Sequence, residues 1–124
     1  MYEIEVTDHF SSAHRLRGEG SCCENLHGHN WFVTVFVRCR DLDGIGIGID
    51  FKAVKREMEG VLAALDHRDL NSVPPFDAQN PSAENIARFV LVEMQRRLSG
   101  HRAKVHRVRV SEGPNTAATC MAEE

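Results

Sequence analysis

The run Cys22-Cys23-Glu24-Asn25-Leu26-His27-Gly28-His29 sets a thiol four residues ahead of an imidazole pair. If a strand begins there, His27 and His29 project from one face, because side chains two apart in an extended chain point the same way, and both rings can reach one ion. The best candidate for a third ligand is His14, which closes Phe10-Ser11-Ser12-Ala13-His14 at the end of an earlier alternating run able to pair beside the second strand. Three neutral imidazoles favour zinc, and a zinc held by three protein side chains keeps its fourth position for water or substrate. The pattern therefore points to catalysis rather than to a closed structural site. The competing reading is a His-Gly-His turn with surface histidines. His9 reads as an ordinary strand-edge residue.

Three further segments carry reactive groups. Cys23 is nominated as the reactive thiol, since a loop position near a cation and histidines lowers a thiol's pKa, with Cys22 as the competing choice that spacing alone does not exclude. Leu65-Asp66-His67 puts a carboxylate beside an imidazole just past a helix. Asp66 can orient His67 for proton transfer only if the backbone turns sharply there, and otherwise it is a polar helix-end residue. Glu112 lies before a Gly-Pro turn, where a carboxylate can accept from amide-like donors or simply be a turn residue.

The elements that must position these groups follow from periodicity. Tyr2, Ile4 and Val6 alternate with Glu3, Glu5 and Thr7 as in a half-buried strand, and Trp31 to Arg40 supplies a second strand rich in aromatic and β-branched residues. The long loop between them borders both metal-candidate groups. Asp43-Gly44-Ile45-Gly46-Ile47-Gly48-Ile49 imitates a phosphate loop but lacks the Gly-Lys-Ser/Thr ending, and that reading is rejected. From Asp50, as N-cap, Val54, Met58, Val61, Leu62 and Leu65 fall at helical spacing. Ser82 opens a second helix carrying Ile86, Phe89, Val90, Val92 and Met94, ended by Ser99-Gly100. Lys104 to Val110 is expected to alternate strictly, and Gly113-Pro114-Asn115 turns into a last strand from Thr116 to Met121. The order ββααββ predicts an α+β domain with two helices on one face of a four-stranded antiparallel sheet.

At 124 residues and net charge −3 the chain reads as a single domain, residues 1–124, without a general polyanion-binding surface. The acidic, alternating N-terminus has neither the basic nor the apolar block of a signal peptide, and no run is long enough to span a membrane, which predicts a cytoplasmic location with the cysteines as thiols. Cys39 and Cys120 read as small buried hydrophobes. Such a sheet retains edge strands, and closure through neighbouring subunits is one way to remove the exposed backbone groups.

Phe10-Ser11-Ser12-Ala13-His14, Cys23 to Asn30, Asp50-Phe51, Leu65-Asp66-His67, Asn80-Pro81-Ser82-Ala83-Glu84-Asn85 and Glu112 together resemble, in order, the motifs of the 6-pyruvoyl-tetrahydropterin synthase and 6-carboxytetrahydropterin synthase family. The resemblance implies zinc on His14, His27 and His29, Cys23 as general base, Asp66 with His67 as the partner proton-transfer pair, and Glu112 as the pterin anchor. It also implies the tunnelling fold, in which sheets from several subunits close a barrel, active sites lie between subunits, and a homohexamer forms from two trimers. The three-residue gap between Cys23 and His27 resembles the bacterial carboxytetrahydropterin branch; animal pyruvoyl enzymes have a longer gap. A folate-type branch carries glutamate in place of the cysteine, and here Glu24 is only adjacent to that position. Ser82 and Trp31 stand where threonine and tyrosine are frequent. The implied reaction converts 7,8-dihydroneopterin triphosphate to 6-carboxy-5,6,7,8-tetrahydropterin, releasing triphosphate and acetaldehyde, in queuosine and deazapurine biosynthesis. The alternatives are pyruvoyl synthase activity and a non-catalytic, zinc-stabilised pterin-binding assembly protein.

Overall fold

Even-numbered residues of the first strand keep one phase from Val6 through Phe10 and Ser12 to His14, all buried, and this continuous alternation makes a single strand, β1, of Tyr2–His14. The second, β2, is His27–Cys39, whose buried face is set by Trp31, Val33, Val35, Val37 and Cys39. Because His27 and His29 share that odd-numbered phase, the apolar run downstream turns both rings toward the covered side of the sheet. The computed structural model describes residues 1–18 and 25–123.

Strands β3 (Lys104–Gly113) and β4 (Thr116–Met121) complete an antiparallel sheet of order β1-β2-β3-β4. β3 does not alternate strictly. Phe36 pairs with Arg107 but Val37 with Val105, so a bulge at His106 shifts the phase and lets Val105, Val108 and Val110 all face the core.

Helix α1, Phe51–Ala63, begins where the Asp50 carboxylate accepts the Lys52 backbone N–H at 2.9 Å. It packs Val54, Met58, Val61 and Leu62 inward, against β1 and α2. Helix α2, Ala83–Arg97, is capped by the Ser82 hydroxyl accepting from Asn85 N–H, and its terminal charges, Glu84 first and Arg96 and Arg97 last, oppose the helix dipole. Its buried stripe is Ile86, Ala87, Val90, Leu91 and Met94, covering β3 and β4. Val92, which the sequence places along this helix, is 54% exposed: six residues past Ile86 it is out of phase with a 3.6-residue turn. Burying each large aliphatic side chain here stabilises the fold by about 1.5–3 kcal/mol.

The glycine-rich segment after β2 folds around its own carboxylate. Asp43 accepts the backbone N–H of Ile45 and Ile47 at 3.0 and 2.9 Å, and these bonds hold its carboxyl below the usual range. Gly46 sits at φ +82°, and a Cβ on Gly48 would lie 2.5 Å from Cys39 Sγ, so these glycines serve a tight turn. Cys39 is buried and Cys120 half-buried. Among the described residues, no helix is long and apolar enough to cross a membrane.

Candidate metal centre and active site

β1 and β2 stay paired to the mouth of the ribbon, so His14 stands directly opposite His27, and Ser12 opposite His29. Strand pairing alone therefore collects the three imidazoles, whose ligand atoms lie within 4.8 Å of one another. Trp31, fully buried, closes the floor, with its ring edge-on to His14 and His29 at 4.7 and 5.3 Å between centroids. Its indole N–H donates to the Ser12 carbonyl at 3.2 Å.

Two rings have their tautomer fixed by backbone. His14 Nδ1 lies 2.7 Å from the Pro81 carbonyl and His27 Nδ1 2.7 Å from the Asn25 carbonyl. A carbonyl can only accept, so each Nδ1 carries the hydrogen, and each neutral ring presents an Nε2 lone pair. Burial holds the His14 pKa below the ordinary imidazole value, against the opposing pull of the Pro81 carbonyl and the Glu112 carboxylate, which keeps the ring in its ligand form. The Nε2 atoms of His14 and His29 are buried without a hydrogen-bond partner. An orphan of that kind costs about 1–3 kcal/mol, and a metal ion removes the cost. The donor set, with outer nitrogens steadied by carbonyls, fits a zinc ion.

Asp66 and His67 are brought together by the sharp turn that neighbouring positions require. His67 is at φ 54°, the only non-glycine residue with positive φ among the described residues, and its Nδ1 meets Asp66 Oδ2 at 2.9 Å. The other carboxylate oxygen accepts the Ser11 backbone N–H at 2.9 Å. That bond first, and His67 second, hold the Asp66 pKa below its ordinary value. The turn is latched to β1 by His67 N–H donating to the Ser11 carbonyl at 2.6 Å, Ala13 N–H to the Arg68 carbonyl at 3.0 Å, and the Ser12 hydroxyl to the Leu65 carbonyl. The pair thus lies against the three residues that precede His14, with the His67 ring exposed to solvent.

Glu112 reaches the same centre. A register shift between Ser111 and Gly113 re-aims the end of β3, and the carboxylate comes within 3.3 Å of His29 Nε2 and 4.0 Å of His14 Nε2. Cys22, Cys23 and Glu24 lie outside the described residues. His9 is exposed, as expected of a strand-edge residue.

Several contributors carry no signal that composition or spacing could reveal. The Pro81 and Asn25 carbonyls are backbone atoms. Asn71 and Asn80 each clamp the chain beyond β1 through both side-chain amide atoms, Asn71 on Arg15 at 2.9 and 3.1 Å and Asn80 on Arg17 at 2.9 Å twice. The Arg17 guanidinium donates to the Phe76 and Gln79 carbonyls, and Arg15 and Arg17 both line a polar hollow of about 660 Å³ with Asn25, Asp69, Asn71 and Asp77.

A family model described as 6-pyruvoyl tetrahydropterin synthase matches residues 3–123. A dihydroneopterin monophosphate aldolase of Pyrococcus furiosus is 34% identical over 104 residues, covering 84% of this chain and 83% of that protein. A putative 6-carboxy-5,6,7,8-tetrahydropterin synthase of Archaeoglobus fulgidus is 33% identical over 109 residues, covering 88% and 86%. The solved structure of Caenorhabditis elegans 6-pyruvoyl tetrahydropterin synthase superposes with a TM-score of 0.88 at 29% identity, covering 98% of this chain and 96% of that one. The sheet and helix arrangement is accordingly the tunnelling fold, and the chain belongs to the 6-pyruvoyl tetrahydropterin synthase family.

Proposed function

We propose that the protein is a zinc-dependent lyase converting 7,8-dihydroneopterin triphosphate and one water to 6-carboxy-5,6,7,8-tetrahydropterin, triphosphate and acetaldehyde, as a step toward queuosine and related deazapurines. The observation that carries the reading is the set of three converging imidazoles with two orphaned, buried Nε2 atoms. His14, His27 and His29 would hold the ion, which when bound supplies Lewis acidity toward side-chain hydroxyls of the substrate. Cys23, as thiolate, takes the proton from the adjacent carbon. His67 relays protons during tautomerisation and triphosphate elimination, its ring oriented by the ionised Asp66. Glu112 accepts from the ring's amide-like donors and fixes the reacting carbons relative to the histidines. The site is completed in a homohexamer of two trimers, where neighbouring chains cover edge strands β1 and β4.

The carboxylated product is preferred because three residues separate Cys23 from His27, as in the bacterial carboxytetrahydropterin branch. A second reading, aldol cleavage of dihydroneopterin monophosphate, is favoured by the 34% identity to the Pyrococcus aldolase. Pyruvoyl synthase activity shares the early steps but retains the three-carbon side chain. Mass spectrometry of the products from the triphosphate and the monophosphate, with and without a zinc chelator, separates them. Acetaldehyde and a carboxylated pterin from the triphosphate, lost with chelator, support the proposal; a pyruvoyl product, or turnover of the monophosphate alone, overturns it. No turnover of either substrate by the zinc-loaded protein would favour the non-catalytic, pterin-binding reading.

A further inference from the structure

We propose that, before substrate binds, the Glu112 carboxylate is the fourth ligand of the metal held by His14, His27 and His29, and that a pterin must draw it off the ion. The inference rests on the metal and pterin-anchoring reading above and adds a second, earlier task for the same carboxylate.

Three observations carry it. First, His14 Nδ1 donates to the Pro81 carbonyl, so a neutral ring turns a lone pair toward Glu112 Oε1 4.0 Å away. Two electron-rich atoms facing each other in a buried site repel, and a cation between them reverses the sign. Second, Glu112 Oε2 is 3.3 Å from His29 Nε2, yet that nitrogen has no hydrogen-bond partner. Donors bound to one tetrahedral zinc at about 2.0–2.2 Å lie roughly 3.3–3.5 Å apart, so this spacing is that of two co-ligands of one ion. Third, the register shift between Ser111 and Gly113 leaves Glu112 outside the β3–β4 pairing, at the end of β3 beside the histidines.

A carboxylate in the fourth position closes the site against water and other anions until the substrate arrives. When the ring's amide-like donors claim Glu112, a coordination position opens for the substrate hydroxyls, so recognition of the ring and exposure of the metal become one event.

The test uses the full-length, assembled protein with cobalt(II) in place of zinc. Azide should leave the visible spectrum of the wild type unchanged in the absence of a pterin and shift that of Glu112→Gln, because only the variant has an exchangeable position. Zinc affinity, read by competition with a chromophoric chelator, should fall about ten- to a hundred-fold in Glu112→Gln. A wild-type cobalt site that takes azide as readily as the variant overturns the proposal, as does unchanged zinc affinity in Glu112→Gln. Neopterin binding is measured in parallel. Loss of neopterin with zinc affinity intact removes the ligand role and leaves the anchoring role; weakened zinc with normal neopterin binding does the reverse.

Discussion

The two ends of the β1–β2 ribbon are built on the same ladder and finished differently. At one end Glu3 stands opposite Arg38, accepting from Arg38 Nε at 3.0 Å and from Arg107 at 2.8 Å, while the Arg107 guanidinium also covers the Phe36 ring at 3.7 Å. At the other end His14 stands opposite His27, and two of the three clustered imidazoles keep an unpartnered nitrogen. The first end is complete within the chain. Its pairs are largely exposed and contribute about 0.2–1 kcal/mol each, whereas each orphan at the second end costs about 1–3 kcal/mol. A strand pair thus tolerates an unfavourable terminus, and polar satisfaction separates the salt-bridged end from the end where three imidazoles could hold a metal ion.

The largest effect that would break this contrast is loss of the metal. His14→Ala should reduce bound zinc, measured by metal analysis of the purified protein, to near none, with turnover at background; full zinc occupancy in that variant would remove His14 from the ligand set. Next, Cys23→Ala should lower turnover by about 10²–10⁴-fold with zinc content unchanged, the range expected for losing a positioned acid–base group. Turnover at the wild-type rate would shift the base to Cys22 or elsewhere.

Asp66→Asn should slow turnover by about 10²-fold and also alter the acid limb of stability. The Asp66 pKa is depressed from 3.8 by the Ser11 N–H and His67, so its contribution is fully present above 3.8 and lost as pH falls through the lower folded value. Urea midpoints of metal-free wild type and variant, compared from about pH 5 to about pH 2, should converge toward the acid end. A constant gap would show that the carboxylate's charge is not what anchors the turn. The smallest effect belongs to the satisfied end. Glu3→Gln should cost about 1 kcal/mol or less, shrink further in high salt, and leave zinc binding untouched.

Much of the scaffold was legible because each element announces itself locally. Asp50 and Ser82 cap the helices they precede, and the alternation of β1 and β2 gives both strands and the shared face of His14, His27 and His29. Phase errors mark where hydrophobicity was read without geometry. Val92 is apolar but out of register with its helix, and the bulge at His106 reverses the alternation of β3 with no glycine or proline to signal it. The proximity of Glu112 to the histidines was also hidden, since it depends on that strand's pairing and on a second register shift. Backbone carbonyls such as those of Pro81 and Asn25 fix the tautomers through atoms that every residue possesses, so no choice of residue type could point to them.

If His67 relays protons as proposed, its left-handed backbone sets folding against use at a single position. A side chain at φ 54° costs of order 1–3 kcal/mol relative to an unstrained residue, and glycine at the same angles is free of it. Among random variants of this chain, selection for heat resistance alone would drift toward glycine at 67, and selection for turnover would hold histidine there. Which residue survives each regime would report what the imidazole is kept for.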